Sequence, residues 1–220
     1  REFSIVASGA RIEKESDIDK LIAALEGMRE ETGLERCASL GMLRKETLKR
    51  LRDAGLQSYH HNLETSRGFF PAVCTTHDYE DDVNTVKTAK ALGFYVCSGG
   101  IFGLGESWEH RVELAFTLKE LDVDSIPINF LNPRTGTPLG SADNLTPLIC
   151  IRIIMLFRFI LPAKDIVICG GRPTNLRHLQ PLIFAAGANG VMIGDYLTTS
   201  GRDVEDDLKM ILDLGLIPRQ

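Results

Sequence analysis

The sequence predicts a parallel α/β fold, and three observations support this prediction. Short apolar runs, each the length of a buried strand, recur roughly 25 to 40 residues apart along the chain. Between successive runs lies a segment whose apolar residues have helical spacing. No change of composition and no linker marks a boundary, so we expect residues 1–220 to form a single domain.

The first helix illustrates the pattern. From Ser16 to Gly33, apolar side chains recur at intervals of three and four residues. Ser16 and Asp19 stand in the positions of a capping box, and Gly33 is a typical helix stop. The succession of helix and apolar run then repeats, which predicts strands near 3–8, 35–40, 57–62, 94–98, 125–130, 165–169 and 190–194.

Strand–helix–strand units of this kind form either an open doubly wound sheet or a barrel of eight strands and eight helices. The seven predicted strands are one fewer than a barrel needs. Because the chain begins at Arg1 without an initiator methionine and its first residues already resemble a buried strand, we expect an upstream segment to supply the eighth. The residues alone leave the two architectures open.

Charge and composition argue against several classes of partner. The formal net charge is −5 and no Lys/Arg cluster is present, so we expect neither nucleic acid nor an anionic membrane to bind. The most apolar stretch, "LTPLICIRIIMLFRFILP", is interrupted by Arg152 and Arg158 and is too short to span a bilayer, which predicts a buried helix. Five scattered cysteines without a signal-peptide pattern predict a reducing compartment, the cytoplasm.

Three of the cysteines lie at predicted strands. Cys37 and Cys97 each come four residues after a helix-stopping glycine, and Cys169 ends another strand. The carboxyl ends of parallel strands meet, so these thiols could face one cavity and bind an iron–sulfur cluster. The alternative is that each is a small buried apolar residue, which we expect for Cys74 and Cys150.

Glycines and asparagines follow the same strand ends. The run "GGIFGLGES" lacks the Lys-Ser/Thr of a P-loop and the downstream acidic residue of a dinucleotide site, so it is a weak phosphate motif. Glycines also allow a planar ligand to approach the backbone closely. Asn62 and Asn129 offer amide donors and acceptors to a urea-like ligand, although asparagine at such positions also caps turns.

The chain resembles the biotin synthase family from Phe3 almost to its end. The motifs that carry the resemblance are "YHHNLETS", "VCSGGIFGLGES", "VDSIPINFLNPRTGTPL", "FRFILP", "CGGR" and "AGANGVMIGDYLTT". The resemblance implies a TIM-type (β/α)8 barrel that lacks its first βα unit, with a biotin- and thiamin-synthesis-associated C-terminal portion inside the single domain. It further implies a radical S-adenosylmethionine sulfurtransferase that inserts sulfur into dethiobiotin, a small-molecule substrate, and that forms a homodimer.

The resemblance also implies roles for individual residues. Cys37 and Cys97 match positions that bind an auxiliary iron–sulfur cluster, a [2Fe–2S] cluster or a variant, which donates the sulfur. The ureido ring of dethiobiotin would be contacted by Asn62 and Asn129, with His60 beside them. The S-adenosylmethionine site would be lined by Glu64, Ile101, Gly103, Gly105, Leu131 and Asn132.

Four positions depart from the family pattern. Ser4 stands where many members have a third cluster cysteine, and Val167 stands where an arginine ligand is expected. Cys169 lies two residues beyond Val167, hence on the same face of the strand, and could take over the ligand role. Asp82 replaces an arginine associated with the carboxylate of S-adenosylmethionine, and His60 replaces an asparagine.

One family motif has no counterpart in these residues. This is the CxxxCxxC loop, which binds the [4Fe–4S] cluster that cleaves S-adenosylmethionine, and without it we expect the chain alone to be inactive. Two alternatives to biotin synthesis remain at this point. His60 would permit a related radical enzyme that acts on another small molecule, whereas Asp82 and the missing loop favour a non-catalytic remnant that binds a ligand or partner.

Overall fold

A computed structural model describes residues 2–12, 14–196 and 199–218. Leu197 and Thr198, at the end of the last motif quoted above, lie outside the described residues. The chain groups into two compact units, the first made of residues 1–63, 74–98 and 120–124, and the second of residues 64–73, 99–119 and 125–220. The single domain predicted from the sequence stays a prediction.

The first unit contains four parallel strands that are paired in chain order: β1 Glu2–Val6, β2 Glu35–Ser39, β3 Ser58–His60 and β4 Tyr95–Cys97. Its helices are α1 Glu15–Glu31, α2 Lys45–Asp53 and α4 Tyr79–Ala91. One face of this sheet is closed by fully buried side chains, among them Tyr59 and Val96. Arg36 shares that face and donates from Nε to the carbonyl of Gly55, just after α2, so this is the helix-covered face.

The predicted N-cap of α1, Ser16, is wrong by two residues. The helix begins at Glu15 with Lys14 as its N-cap, and no side chain caps it. Ser16 is therefore inside the first turn, where its hydroxyl cannot act as a capping box, and the carbonyl of Lys14 accepts the first N–H bonds instead. The helix ends where predicted, because Thr32 adopts an extended conformation just before Gly33.

The second unit contains the remaining described strands, also parallel and paired in chain order: β5 Gly100–Phe102, β6 Ser125–Phe130, β7 Asp165–Ile168 and β8 Gly190–Val191. Its helices are α3 Phe70–Val73, α5 Trp108–Glu120, α6 Pro147–Ile160, α7 Arg172–Leu176, α8 Leu182–Ala185 and α9 Val204–Asp213, with a 3₁₀ turn at Arg177–Leu179. Phe102 of β5 meets Phe157 of α6 edge-on, with ring centroids 5.2 Å apart, so the helices cover the face that carries Phe102.

The parallel α/β prediction is confirmed, with differences in the strands. The described residues contain eight strands instead of seven, because part of the glycine run, Gly100–Phe102, pairs with β6. Strand β3 ends at His60, so Asn62 lies beyond it, and β8 covers only two residues of the predicted 190–194. The apolar stretch forms α6, and within the part of the chain described no helix is long and apolar enough to cross a membrane.

A buried ion pair joins α7 to α9 in the second unit. Arg172, the arginine of "CGGR", and Asp207 are both fully buried and bonded to each other. Arg172 also donates to the side chain of Gln180, so the guanidinium has several acceptors. Charges taken out of water are tolerated only when they are paired in this way.

We therefore expect Asp207→Ala to lower the free energy of unfolding by about 3–5 kcal/mol, because it leaves the Arg172 guanidinium buried without its partner. Urea denaturation measures this loss. Asp206→Ala is the matched control. The Asp206 carboxylate is exposed and forms a long ion pair, 3.9 Å from Nε of Arg202, so its loss should lower the free energy of unfolding by less than about 1 kcal/mol. Equal losses in the two variants would contradict the structural role of the pair.

Candidate functional site

The strand register of the first unit places several predicted site residues on one face. Ser4, Cys37 and Ser58 are aligned across β1, β2 and β3, and His60 is aligned with Cys97. Since residues two apart on a strand share a face, His60 lies on the same side as Ser58. Both thiols therefore lie on the face opposite the helices, and Cys97 is two residues further toward the carboxyl ends of the strands.

Cys37 lies in a small polar cluster on this face. The residue is 6% exposed, and the side chains of Ser4 and Glu2 on β1 hydrogen-bond to its thiol. Burial, together with the charge of Glu2, raises the pKa of the Cys37 thiol to about 11. Ser4, at the position of the family's third cluster cysteine, thus contacts the cysteine that is present.

His60 supplies a neutral imidazole next to Cys97. Burial and the neighbouring His61 lower the pKa of His60 to about 4, so its ring is uncharged at pH 7. A neutral imidazole offers one donor and one acceptor, as an asparagine amide does with its two ends. Asn62, two residues further along, is half-buried and lies in the segment after β3.

Ser98 follows Cys97 and is fully buried. Its hydroxyl finds no hydrogen-bond partner among the described residues. A buried hydroxyl without a partner is costly, and Ser98 is two residues after Val96 of the helix-covered face, so it is not part of the thiol-bearing face.

In the second unit Asn129 and Cys169 share a face. Asn129 is aligned with Ile101 of β5, and Val167, aligned with Pro127, points to the same side. The side-chain oxygen Oδ1 of Asn129 accepts a hydrogen bond from the backbone N–H of Gly170 at 2.9 Å. The side-chain nitrogen Nδ2 of Asn129 donates to the backbone carbonyl of Gly100 at 3.4 Å. The Asn129 amide thus joins the first residue of β5 to the segment just after β7, as in the turn-capping alternative, although the second bond is long.

Cys169 is buried just beyond β7. Its exposed fraction is 7%, and burial raises the pKa of its thiol to about 12. Its sulfur lies 3.6 Å from the carbonyl oxygen of Val167. This placement, two residues after Val167 and on the same face, is the one that the sequence predicted for a replacement ligand.

The glycine run is shaped by packing against its own unit. A Cβ at Gly100 would lie 2.5 Å from the carbonyl oxygen of Glu64, which itself has a positive φ of 60° and accepts the N–H of Ile101 at 2.8 Å. A Cβ at Gly103, whose φ is +98°, would lie 2.7 Å from Leu145. The interpretation that these glycines make room for a cofactor is therefore incomplete, because protein atoms already require glycine at both positions.

Glu106 holds the end of this run in place. Its buried carboxylate accepts the N–H of Gly103 at 3.0 Å and pairs with the guanidinium of Arg111 at 2.8 Å. Leu131, in turn, donates its N–H to the carbonyl of Phe102 at 2.8 Å. The segments 101–105 and 131–132 are thus neighbours with a fixed backbone, which is what a site built from backbone groups requires.

The donor set has the chemistry of iron–sulfur ligands. All five cysteines are free of disulfides, and thiolates are the soft ligands that such clusters take. Among the described residues, no group of three or more His, Cys, Asp or Glu side chains is arranged to hold one metal ion. Cys150 is fully buried in α6, as expected, whereas Cys74 is half-buried and hydrogen-bonded, which contradicts the expectation of a buried apolar residue.

The fold and site together define a class: a parallel α/β protein with thiols and amides at the carboxyl ends of its strands. The radical SAM superfamily model matches residues 4–118, and the model of the Biotin and Thiamin Synthesis associated domain matches residues 127–217. The chain belongs to the radical SAM superfamily.

Within this superfamily, the chain is similar to biotin synthases. The chain is 58% identical to biotin synthase of Geobacter sulfurreducens, 57% to that of Geotalea daltonii and 54% to that of Syntrophotalea carbinolica, over 97–99% of its own length. It spans only 65–66% of these relatives, about two thirds of their length.

Solved structures share the fold. Methylornithine synthase matches 93% of this chain and 65% of its own with a TM-score of 0.77 at 22% identity. The FeFe-hydrogenase maturase of Carboxydothermus hydrogenoformans matches 99% of this chain and 56% of its own with a TM-score of 0.78 at 15% identity. At these identities the likeness concerns the fold alone.

The raised pKa values of Cys37 and Cys169 lead to a prediction for the metal-free protein. At pH 8 both thiols should remain protonated, because their pKa values, about 11 and about 12, lie above that pH. Since only the thiolate is alkylated, each should react with iodoacetamide at least ~100-fold more slowly in the folded protein than in urea. Mass spectrometry of the modified peptides gives both rates, and similar rates in the two states would refute the prediction.

Proposed function

We propose that the protein containing this chain is a biotin synthase, which inserts sulfur into dethiobiotin by a 5′-deoxyadenosyl radical mechanism. The observation that carries the proposal is the 58% identity to a biotin synthase over 99% of the chain. The match to the Biotin and Thiamin Synthesis associated domain supports it independently. Because the chain covers about two thirds of these relatives, the activity belongs to the whole protein.

The auxiliary cluster would be held by Cys37, Cys97 and Cys169. When bound, such a cluster supplies the sulfur that enters the product. The contribution of the chain is to fix the direction of the thiols by their strand positions and to release their protons on binding. Iron binding stabilises the thiolate against the burial that otherwise keeps Cys37 and Cys169 protonated.

The ureido ring of dethiobiotin would be bound by Asn62 and Asn129, with His60 beside them. The ring is neutral and carries both N–H donors and a carbonyl acceptor, so neutral groups that offer both functions are its natural partners. The uncharged imidazole of His60 satisfies this requirement at the position where the family has asparagine. A charged side chain at this position would lose its hydration without gaining an oppositely charged partner, which would weaken binding.

S-adenosylmethionine would bind along Glu64, Ile101, Gly103, Gly105, Leu131 and Asn132. The hydrogen bonds of Glu106 and Leu131 fix this backbone before the cofactor arrives, which lowers the ordering cost of binding. Asp82 supplies no positive charge for the cofactor carboxylate. This observation favours, as the second candidate, a non-catalytic protein that binds a ligand or partner. Calorimetric titration with S-adenosylmethionine measures the binding, and an assay of its cleavage by the whole protein measures turnover.

The cluster assignment is tested by reconstituting the purified protein anaerobically with iron and sulfide. Cys97→Ala should remove most of the visible absorption of the auxiliary cluster, because it deletes a thiolate ligand. Cys150→Ala is the matched control, since its thiol is fully buried in α6, and its absorption should match that of the unaltered protein.

If Cys150→Ala loses as much visible absorption as Cys97→Ala, the cluster assignment is wrong. The assignment of the fold does not depend on this result. Cleavage of S-adenosylmethionine is a separate readout. We expect none from the 220-residue chain alone, because the CxxxCxxC motif has no counterpart in it.

The substrate assignment is tested at Asn129 in biotin formation by the whole protein. Asn129→Asp keeps the oxygen that accepts the Gly170 N–H but loses the donating amide, so KM for dethiobiotin should rise about 5- to 150-fold, the equivalent of one buried hydrogen bond of ~1–3 kcal/mol. Asn84→Ala, at an exposed position of α4, should leave KM unchanged. An unchanged KM in Asn129→Asp would exclude Asn129 from the substrate site.

A further inference from the structure

A second group of reactive side chains lies in the first unit, apart from the strand face described above. The sulfur of Cys74 lies 3.4 Å from Nδ1 of His77, and Nε2 of His77 lies 3.1 Å from one carboxylate oxygen of Asp82. The other oxygen of Asp82 lies 2.8 Å from Nε2 of His61. A thiol, an imidazole and a carboxylate are thus connected in series.

Exposure to solvent increases along this series from the carboxylate to the thiol. The Asp82 side chain is 6% exposed and that of His77 is 20% exposed, while Cys74 is half-buried. The carboxylate is therefore held in the interior by the first turn of α4, and the thiol at the other end of the series is accessible to solvent. Nucleophile, base and orienting group within hydrogen-bond reach are the arrangement of an activated nucleophile.

The hydrogen bonds determine the tautomer of His77. An ionised carboxylate only accepts hydrogen bonds, so both imidazoles must donate to Asp82 from Nε2. A neutral His77 then has an unprotonated Nδ1, which lies 3.0 Å from the Thr76 hydroxyl and 3.4 Å from the sulfur of Cys74. When the single proton of that hydroxyl is donated to the sulfur, Nδ1 accepts from the thiol. The thiol proton can pass to Nδ1, and Asp82 stabilises the imidazolium that results.

The local electrostatics support the thiolate. The hydroxyl of Thr76, 3.3 Å from the sulfur, is the main cause that lowers the pKa of Cys74, and the backbone N–H groups of Thr76 and His77 add to it against burial and the charge of Asp82. The other carboxylates at the start of α4 include Asp78 and Asp81, which cap that helix. In Cys37, Cys150 and Cys169 burial instead raises the pKa.

We propose that Cys74 is a nucleophilic thiol that attacks sulfur–sulfur bonds, with His77 as its general base and Asp82 as a positioning residue. His77 takes the proton of Cys74, and the thiolate attacks one sulfur of a disulfide or persulfide. A new bond to the Cys74 sulfur forms as the old sulfur–sulfur bond breaks, and the departing thiolate takes the proton from His77. The attacked disulfide or persulfide is the oxidant, so the step is balanced.

The surroundings favour sulfur over carbonyl carbon as the atom attacked. Attack on a carbonyl places negative charge on oxygen, which needs donors aimed at that oxygen. Asp82 would oppose such a charge, whereas thiol–disulfide exchange creates none on oxygen. Two substrates would react in this way. A low-molecular-weight disulfide would leave a mixed disulfide on Cys74, and a persulfide would leave a single extra sulfur atom there.

The experiment incubates the reduced, purified protein with oxidised glutathione at pH 7 and follows each cysteine-containing peptide by mass spectrometry. Cys74 should acquire the adduct about 10-fold faster than any other cysteine, because its thiolate is populated and accessible. His77→Gln should slow this reaction about 10-fold and move the pH profile of its rate to higher pH, toward that of an ordinary thiol. His178→Gln, at an exposed position, is the matched control and should change neither.

Asp82→Asn should also slow the reaction, because His77 loses the carboxylate that fixes its tautomer and stabilises its imidazolium, with circular dichroism as the check on folding. If that variant does not fold, His77→Gln decides alone. A second arm with glutathione persulfide distinguishes the sources, since transfer of one sulfur atom identifies a sulfur carrier and a whole glutathionyl group identifies a site of mixed-disulfide formation. Reaction at Cys74 no faster than at Cys97, or a profile unchanged in His77→Gln, would overturn the proposal, whatever the outcome for biotin formation.

Discussion

The alternation of side chains along parallel strands is the constraint on which the rest of this molecule depends. Once the register between neighbouring strands is fixed, the choice of the helix-covered face determines every residue on the other face. In the first unit, burial of Tyr59 and Val96 under the helices puts His60 and Cys97 on the opposite side. In the second unit, burial of Ile128 and Ile168 does the same for Asn129 and Cys169. A slip of one residue would turn these groups into the apolar layer.

The same burial determines the charge state of the candidate site. Cys37 and Cys169 remain protonated thiols at pH 7, and His60 remains a neutral imidazole, because low exposure disfavours the charged form in each case. The polar groups on these faces are therefore largely uncharged before any cofactor binds. This is compatible with a neutral, hydrogen-bonding substrate, and it means that iron binding must be coupled to proton release.

Local pattern was sufficient for the order of strands and helices, because apolar periodicity reports which residues are buried. Strand position also gives Cys37 and Cys97 the same face, since side chains alternate along a strand, while their role as cluster ligands stays a prediction. Local pattern failed where tertiary contacts decide. Strand β5 forms inside a glycine run because β6 provides its partner, and the sequence signal for a strand is weak there.

The pairing of Arg172 with Asp207 joins residues 35 positions apart, and the bond between His61 and Asp82 spans 21, so neither has a local signature. The proposed role of Cys74 was missed for a different reason. Its sequence context, "VCTTHDYEDD", contains the histidine and the carboxylate, but their connection depends on the turn that precedes α4. The spacing of Cys74 and His77 alone gave no indication that the two side chains meet.

Asp82 links the two proposals at a single position. The resemblance places an arginine there, whose cation would meet the carboxylate of S-adenosylmethionine. An arginine could not accept hydrogen bonds from His61 and His77, so their tautomers would no longer be fixed and the lone pair of His77 Nδ1 would no longer be directed at Cys74. Position 82 can therefore supply a cation to a ligand or organise the thiol relay, but not both. In this chain the buried carboxylate already has two imidazole donors, which is the condition under which a charge is stable at that depth.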